Sequence, residues 1–307
     1  MNPNITIHED FDLFTKIIND PSYANEKRIA QTAIELPWPI GKLYFAKQYP
    51  QILQWAIGKP QAAKMAYVYL TAKEYLIQSG IPRELLDITA TMFDALNGKP
   101  IAPDFLKAVQ LLCLAWHARC TRMYPILLEE FKSGNNVVSQ GCGCSIIEQI
   151  ALIASKSKTA KLTLIDKDPA STAIARDLKK LFIQNGYDID NQVEILDGDI
   201  RDYEPSSDVD TVVTIGLLYN YFSISESNAI IKKLFTRGIN TVVADYCCDP
   251  AELNDEAKLR MAATVKIVGW KGLLLCTQEE FRNSLPDNII VDLYDQYLTA
   301  TVVMSSV

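Results

Sequence analysis

Two closely spaced glycines, Gly141 and Gly143, mark the part of the sequence best suited to bind a ligand. They follow segment 136–139, which contains two β-branched valines. Ser145 and Glu148 have the spacing of a helix capping box. This order predicts a strand, a tight glycine turn and a helix start. Glycines let a ligand approach the backbone, and a helix start offers free N–H groups and partial positive charge. The turn is therefore a candidate ligand site.

Asp166 is the second candidate, because segment 161–166 predicts a strand that ends in this acid, 25 residues after Gly141. An acid at that place binds ribose hydroxyls in dinucleotide folds. Pyrophosphate binding also requires a third glycine, where this chain has Ile146. The bulky side chain argues against NAD and favours a ligand without pyrophosphate. The alternative for Asp166 and the glycines is a purely structural role in the turn and in helix capping.

Four segments in register resemble the class I S-adenosylmethionine-dependent methyltransferases. They are segments 138–143, 164–169, 194–200 and 210–218, and the resemblance covers roughly residues 130–307. It implies an α/β fold, a Rossmann-like doubly wound sheet with an antiparallel C-terminal strand, and S-adenosylmethionine as the cofactor. The implied cofactor-binding residues are Gly141, Gly143, Asp166, Asp199, Ile200, Gly216 and Leu217.

The resemblance also implies what most of these residues contact. Gly141 and Gly143 would line the methionine and ribose portions, and Asp166 would hold the ribose hydroxyls. Asp199 would accept a hydrogen bond from the adenine amino group, with Ile200 packed on the ring.

The chain departs from the family pattern at two positions. The family often has an acid that contacts the methionine amine where this chain has Ser139, and often a third glycine where it has Ser145. The partner of the amine is therefore left open. Asp197 is also an alternative to Asp199 as the adenine acceptor, since both follow the third predicted strand.

Tyr219, Tyr221 and Asp245 are the predicted catalytic residues. In the family, the loop that starts with Gly216 and Leu217 borders the transferable methyl group. A tyrosine in that loop could position an acceptor or transfer a proton, and Asp245, placed after the fifth strand, could act as a base or anchor. The alternatives are a hydrophobic wall for the tyrosines and a capping role for the aspartate.

Composition limits the classes of function. The chain has 307 residues, 49% of them hydrophobic, and a net charge of −7, which disfavours a nucleic-acid or anionic-membrane binder. We expect a reduced, cytoplasmic protein, because the seven cysteines show no disulfide spacing and no secretory signal is visible. With only two histidines, a metal site is not predicted. The oligomeric state is left open.

The two parts of the chain have different patterns. Apolar spacing and prolines predict helices through residues 1–130, one of them ending at Asn97, and Pro125 should kink or split the last one. Residues 131–307 alternate strands and helices, which is typical of a parallel sheet. We therefore predict an all-helical N-terminal lid or substrate domain at 1–130, packed tightly on a cofactor-binding methyltransferase domain at 131–307.

Helix starts and the C-terminal strands complete the prediction. Capping signals stand at Asp168, at Ser223 and at Thr277, and strands are expected at 288–293 and 296–304.

The predicted function is methyl transfer from S-adenosylmethionine to a small-molecule acceptor, without nucleic-acid or membrane partners. One alternative is aminocarboxypropyl transfer, as in enzymes similar to nicotianamine synthase. Another is a non-catalytic protein that kept the cofactor fold as an interaction module.

Overall fold

The sheet and most of the helices that surround it are described by a computed structural model of the chain. It describes residues 73–97, 120–249, 251, 253, 275–286, 288–296 and 299–306. The helices predicted within residues 1–72 and 98–119 lie outside these residues. Across the described ranges, no helix combines the length and apolar character that crossing a membrane requires.

Helices of the N-terminal region are described in part. Helix α1 spans Lys73–Gln78, α2 spans Arg83–Asn97, and residues 120–132 belong to α3. The predicted end of a helix at Asn97 is confirmed. The predicted split at Pro125 is wrong, because helical structure runs unbroken from residue 120 to residue 132, and the alternative of a kink stays a prediction.

The rest of the described chain alternates strands and helices. The strands are β1 Val137–Gln140, β2 Leu162–Asp166, β3 Val193–Asp197, β4 Thr211–Val213, β5 Thr241–Cys248, β6 Leu275–Cys276, β7 Ile289–Gln296 and β8 Thr299–Ser306. The helices are α4 Ile146–Ser155, α5 Pro169–Gln184, α6 Leu218–Tyr221, α7 Ile224–Thr236 and α8 Gln278–Ser284.

These strands form one sheet in the order β3-β2-β1-β4-β5-β8-β7, with β6 paired to β5. Strands β1 to β5 are parallel, whereas β8 lies antiparallel between β5 and β7. The order reverses at β1, which has β2 on one side and β4 on the other. In open α/β sheets, ligands bind beyond the carboxyl ends of the strands at such a switch point. The predicted Rossmann-like sheet with an antiparallel C-terminal strand is confirmed.

Three of the four helix starts predicted from sequence are confirmed. The Asp168 carboxylate accepts the N–H of Ala170, with proline in the first turn of α5. Ser223 and Thr277 each form a complete capping box with the glutamate three residues later. These helices therefore begin where local side-chain hydrogen bonds satisfy their free N–H groups.

The capping box predicted at Ser145 and Glu148 is wrong. Ser145 has φ 50° and ψ 39°, a left-handed conformation, and makes no capping hydrogen bond. Its hydroxyl instead accepts a hydrogen bond from Gln149 Nε2 at 3.0 Å. The left-handed backbone is the conformation that favours glycine, so this turn keeps the geometry of a third glycine without having one.

Helix α3 and strand β1 are joined by a short, tightly bonded connection. The N–H of Asn135 donates to the carbonyl of Glu130, and the N–H of Gly134, at φ 82°, donates to the carbonyl of Phe131. This pair of bonds is a Schellman motif, which ends a helix at a glycine. The Glu130 carboxylate also accepts the Thr211 hydroxyl at 2.6 Å, which fixes the end of α3 to strand β4.

The core lies on both faces of the sheet. Adjacent residues of β1 point to opposite faces, so Val137 belongs to one buried cluster and Val138 to the other. The first cluster includes Leu76 of α1, Leu85 of α2 and Phe131 of α3, together with residues of the sheet. The described helices of the N-terminal region thus share a hydrophobic core with the sheet, which favours the predicted tight packing.

Candidate functional site

A cavity of about 600 Å³ opens at the carboxyl ends of the first strands of the sheet. Its lining includes every residue that the sequence predicted for cofactor binding: Gly141, Gly143, Asp166, Asp199, Ile200, Gly216 and Leu217. Cys120 and Met123 of α3 also line it. The parallel strands bring these residues together from four different loops, which is how the switch point of an open sheet forms a site.

The two glycines of the turn differ in the space that surrounds them. Both have positive φ, 67° at Gly141 and 56° at Gly143. A Cβ atom on Gly141 would lie 2.8 Å from the Leu217 side chain, so any larger residue here would require that side chain to shift. A Cβ atom on Gly143 would meet nothing within 4 Å. Gly141 thus allows close packing inside the protein, and Gly143 leaves free space beside the backbone.

Asp166 connects the loop after β2 to the glycine turn. Its Oδ2 accepts the N–H of Gly143 at 2.8 Å, and its Oδ1 accepts the N–H of Asp168 at 2.9 Å. The carboxylate is half-buried and lines the cavity. Asp166 therefore has the structural role in the turn that was the alternative from the sequence, and it also lines the cavity.

Asp199, and not Asp197, lies on the cavity wall. The Asp197 carboxylate instead accepts the Thr172 hydroxyl and pairs with Arg176 at 3.0 Å. Asp199 accepts hydrogen bonds from the backbone N–H and the Nε of Arg201, both at 2.9 Å. These bonds with Arg201 hold the pKa of Asp199 well below its usual range. Asp199 thus offers a permanently charged acceptor at the cavity.

Asp245 lies behind the cavity. It was expected after the fifth strand, but β5 continues to Cys248, so Asp245 lies inside the strand and pairs with Thr301 of β8. The side chain is 0% exposed and does not line the cavity, and its Oδ1 accepts the N–H of Gly216 at 2.6 Å. A buried carboxylate needs such a partner. The placement therefore supports a positioning role for Asp245 through the Gly216 loop.

Tyr219 also lies behind the cavity wall. Its side chain is 2% exposed, its ring packs against Phe281 with centroids 4.9 Å apart, and its hydroxyl donates to Asn228 Oδ1 at 2.8 Å. Burial raises the pKa of Tyr219 above its usual value. Asn228 continues the contact by donating to the carbonyl of Ser284 at 2.6 Å. Tyr219 thus joins α6, α7 and α8, while the side chain of Tyr221 lies outside the described part of the structure.

Glu148 is a cavity residue that the sequence pattern assigned to another role. It is 5% exposed, lines the cavity and accepts the Ser139 hydroxyl at 3.0 Å on Oε1. Desolvation by burial raises the pKa of Glu148 to about 7. The spacing from Ser145 concealed this position, because a serine followed three residues later by a glutamate is also the pattern of a capping box. A buried acid therefore stands beside Ser139, where the related family often has one.

The turn contains two cysteines, of which Cys144 is buried and Cys142 is half-buried. Burial raises the pKa of Cys142 well above its usual value and that of Cys144 to about 12, and nearby Glu148 adds to both effects. Thiols with raised pKa values are poor nucleophiles. Within the described ranges, no group of three or more His, Cys, Asp or Glu side chains is placed to hold a metal ion.

Solved structures resemble this chain at low sequence identity. A protein from Bordetella parapertussis, described as a possible exported protein, has a TM-score of 0.54 and 18% identity, over 94% of this chain and 99% of that chain. Magnesium protoporphyrin IX methyltransferase from Synechocystis PCC 6803, solved with bound S-adenosylmethionine, has a TM-score of 0.46 and 12% identity, over 70% and 89%. N,N-8-amino-8-demethyl-D-riboflavin dimethyltransferase from Streptomyces davawensis has a TM-score of 0.47 and 12% identity, over 91% and 76%.

The sequence matches no protein-family model and no curated protein. The likeness to solved structures therefore concerns the fold. Its doubly wound sheet with an antiparallel C-terminal strand is the arrangement that the resemblance to class I methyltransferases implied. The chain has a Rossmann-like fold.

Proposed function

We propose that the chain binds S-adenosylmethionine in this cavity and transfers its methyl group to a small-molecule acceptor. The observation that carries the proposal is the convergence of all the sequence-predicted cofactor residues on one cavity. They come from four loops that are far apart in sequence, and the resemblance assigns each of them to the cofactor. Ile146 in place of a pyrophosphate glycine supports a single-nucleoside ligand over NAD.

The residues present suit such a ligand. Gly143 leaves open space at the turn, so a ribose or methionine portion fits against bare backbone. Asp166 and Asp199 are carboxylates on the cavity wall, suited to hydroxyl groups and to an amino group respectively. Ile200 supplies an apolar surface for an aromatic ring.

When bound, S-adenosylmethionine supplies a methyl group on a sulfonium sulfur, open to in-line displacement by a nucleophile. The protein's part in such a reaction is mainly to align the acceptor and to exclude water. Leu217 and Phe222 line the cavity with apolar surface beside Gly216. Asp245 fixes that loop through its bond to the Gly216 N–H.

The acceptor side of the site involves the N-terminal region in this proposal. Cys120 and Met123 of α3 contribute to the cavity wall, and α3 leads directly into β1. We therefore keep the proposal that the helical region at 1–130 serves as a lid or substrate domain over the domain at 131–307. Tyr221 stays the proposed acceptor-side catalytic residue, whereas Tyr219 and Asp245 have the burial of positioning residues.

A labelling experiment tests the proposed function. The protein is incubated with a small-molecule extract and S-adenosylmethionine that carries a deuterated methyl group, and products are followed by mass spectrometry. We expect a labelled product and S-adenosylhomocysteine in equal amounts, and neither with Asp166→Ala. Saturable cofactor binding with no labelled product in any extract would contradict methyl transfer and favour the non-catalytic alternative. A transferred aminocarboxypropyl group would leave 5′-methylthioadenosine instead.

A further inference from the structure

Glu148 is a buried acid without a cationic partner in the described part of the protein. It lies in the first turn of α4, is 5% exposed, and faces the cavity. Among the described residues, the Ser139 hydroxyl is the one side-chain group that hydrogen-bonds its carboxylate, and no lysine or arginine forms an ion pair with it. Buried carboxylates are normally paired, because removing the charge from water is costly.

The other groups near Glu148 do not supply a positive charge. The charge of Glu148 raises the pKa of the nearby Cys142 and Cys144 thiols, and the charge of Asp166 has the same effect on both thiols. The thiols are neutral and Asp166 is an acid. The start of α4 contributes only partial positive charge. Among the described residues, none supplies a full positive charge to Glu148, and the open side of its carboxylate is the cavity that it lines.

The position of Glu148 indicates which part of a ligand it would meet. Its partner Ser139 stands in β1, two residues before Gly141, so the carboxylate lies at the floor of the glycine turn. Asp166 marks the other side of the same turn through its bond to Gly143. Glu148 and Asp166 thus both line the cavity beside the glycine turn, so one ligand can contact both carboxylates.

We propose that the Glu148 carboxylate is the counter-ion of the α-ammonium group of the bound cofactor, with the Ser139 hydroxyl holding the carboxylate in place. The proposal rests on the proposed function, since it concerns the same cavity. A residue of helix α4 thus makes the contact with the amine for which strand β1 has Ser139 instead of an acid. The proposal also gives a function to a carboxylate at a site where burial disfavours its charge.

Two ligands separate this contact from the rest of the site. S-adenosylhomocysteine carries the amino-acid portion, whereas 5′-methylthioadenosine has the same nucleoside and sulfur without it. Calorimetry is performed with both ligands on the full chain, on Glu148→Gln, and on Glu194→Gln as a control on an exposed strand residue. We expect Glu148→Gln to weaken the binding of S-adenosylhomocysteine about ten- to hundredfold. The binding of 5′-methylthioadenosine should weaken less than about twofold, because only S-adenosylhomocysteine loses a charged hydrogen bond. Glu194→Gln should change neither.

A relocated carboxylate provides the second test. Ser139 and Glu148 are in hydrogen-bond contact, so Ser139→Asp combined with Glu148→Gln moves the acid across to β1. This double variant should recover at least part of the lost affinity for S-adenosylhomocysteine, which a purely structural role of Glu148 would not allow.

The outcomes are distinct. Equal losses for both ligands in Glu148→Gln, with no recovery in the double variant, would overturn the proposal in favour of a structural role. Unchanged affinities for both ligands would also overturn it. If the wild-type chain bound neither ligand, the proposed function itself would fail.

Discussion

The Asp166 carboxylate accepts the N–H of Gly143 at 2.8 Å and so joins the loop after β2 to the glycine turn after β1. The same carboxylate accepts the N–H of Asp168 on its other oxygen, at the start of α5. One side chain therefore holds together two of the loops that line the cavity. Its two roles, in the turn and towards a ligand, can be separated by experiment.

Replacing Asp166 with alanine should weaken the binding of S-adenosylhomocysteine and of 5′-methylthioadenosine to the same extent, because both ligands contain the ribose. The loss of two hydrogen bonds to a charged acceptor should cost several kcal/mol, on the order of 1.5–3 each. Asp197→Ala is the matched control, since Asp197 bonds Thr172 and Arg176 away from the cavity. Calorimetry that gave equal affinities for Asp166→Ala and wild type would show that Asp166 only shapes the turn.

Alanine at Gly141 should mainly lower stability, whereas alanine at Gly143 should mainly weaken ligand binding. At Gly141 the new Cβ meets Leu217 at 2.8 Å, so we expect a clear loss of thermal stability, about 2 kcal/mol or more, typical of overpacking plus backbone strain. At Gly143 the Cβ meets no atom, so only the left-handed backbone costs stability, about 1 kcal/mol. The added methyl group should nevertheless weaken ligand binding, because it enters the cavity.

Thermal unfolding and calorimetry on the two variants check this pair. If Gly143→Ala bound S-adenosylhomocysteine as tightly as wild type, the ligand would not approach the turn backbone.

Removing the Asp245 carboxylate should disturb the Gly216 loop. Asp245→Ala leaves the partly buried Gly216 N–H without its acceptor, and the lost hydrogen bond should cost about 1 kcal/mol. We expect lower thermal stability and weaker cofactor binding, whereas Asp245→Asn keeps an acceptor oxygen and should recover much of both. A direct role as base predicts the reverse: normal binding with lost turnover in Asp245→Asn.

Cofactor affinity should depend on pH through Glu148. Its pKa of about 7 in the free protein means that it is largely protonated below that pH, and a protonated acid cannot pair with an ammonium group. The affinity for S-adenosylhomocysteine should therefore fall as the pH decreases from about 8 to about 6, by up to about tenfold per pH unit below the pKa. Glu148→Gln should lack this dependence. An identical pH profile in the variant would assign the titration to another group.

The same pKa has a consequence for stability, with a definite sign. The folded pKa of about 7 lies above the ordinary value of 4.5, so the folded protein binds the proton more tightly than the unfolded chain does. Glu148 therefore lowers stability progressively as the pH rises from 4.5 to about 7, by an amount on the order of 3 kcal/mol in total. Without ligand, Glu148→Gln should be more stable than wild type above pH 7. If Glu148→Gln were only as stable as the wild type above pH 7, a destabilising buried charge at Glu148 would be contradicted.

The sheet and most of the site were predictable because their signals are local. Asp166 ends a β-branched segment, and the capping boxes at Ser223 and Thr277 use only neighbouring residues. The Ser145 capping box failed because its geometry depends on the whole turn, in which residues 141, 143 and 145 all have positive φ. Nothing in a four-residue pattern distinguishes the two conformations.

Asp245 was misplaced for a long-range reason. Strand β5 continues past it because β8 pairs with it along most of its length and β6 pairs with its end. Those partners come later in the chain, so the local pattern could not show where β5 stops. The burial of Asp245 and its bond to Gly216 follow from that pairing.

Titration of the wild-type chain with S-adenosylhomocysteine is the most direct test of the central claim, which is that the cavity binds this cofactor. We expect saturable one-to-one binding by calorimetry, competition by S-adenosylmethionine and no competition by NAD, because Ile146 occupies the position of the pyrophosphate glycine. The absence of saturable binding, or displacement of the ligand by NAD, would contradict the account.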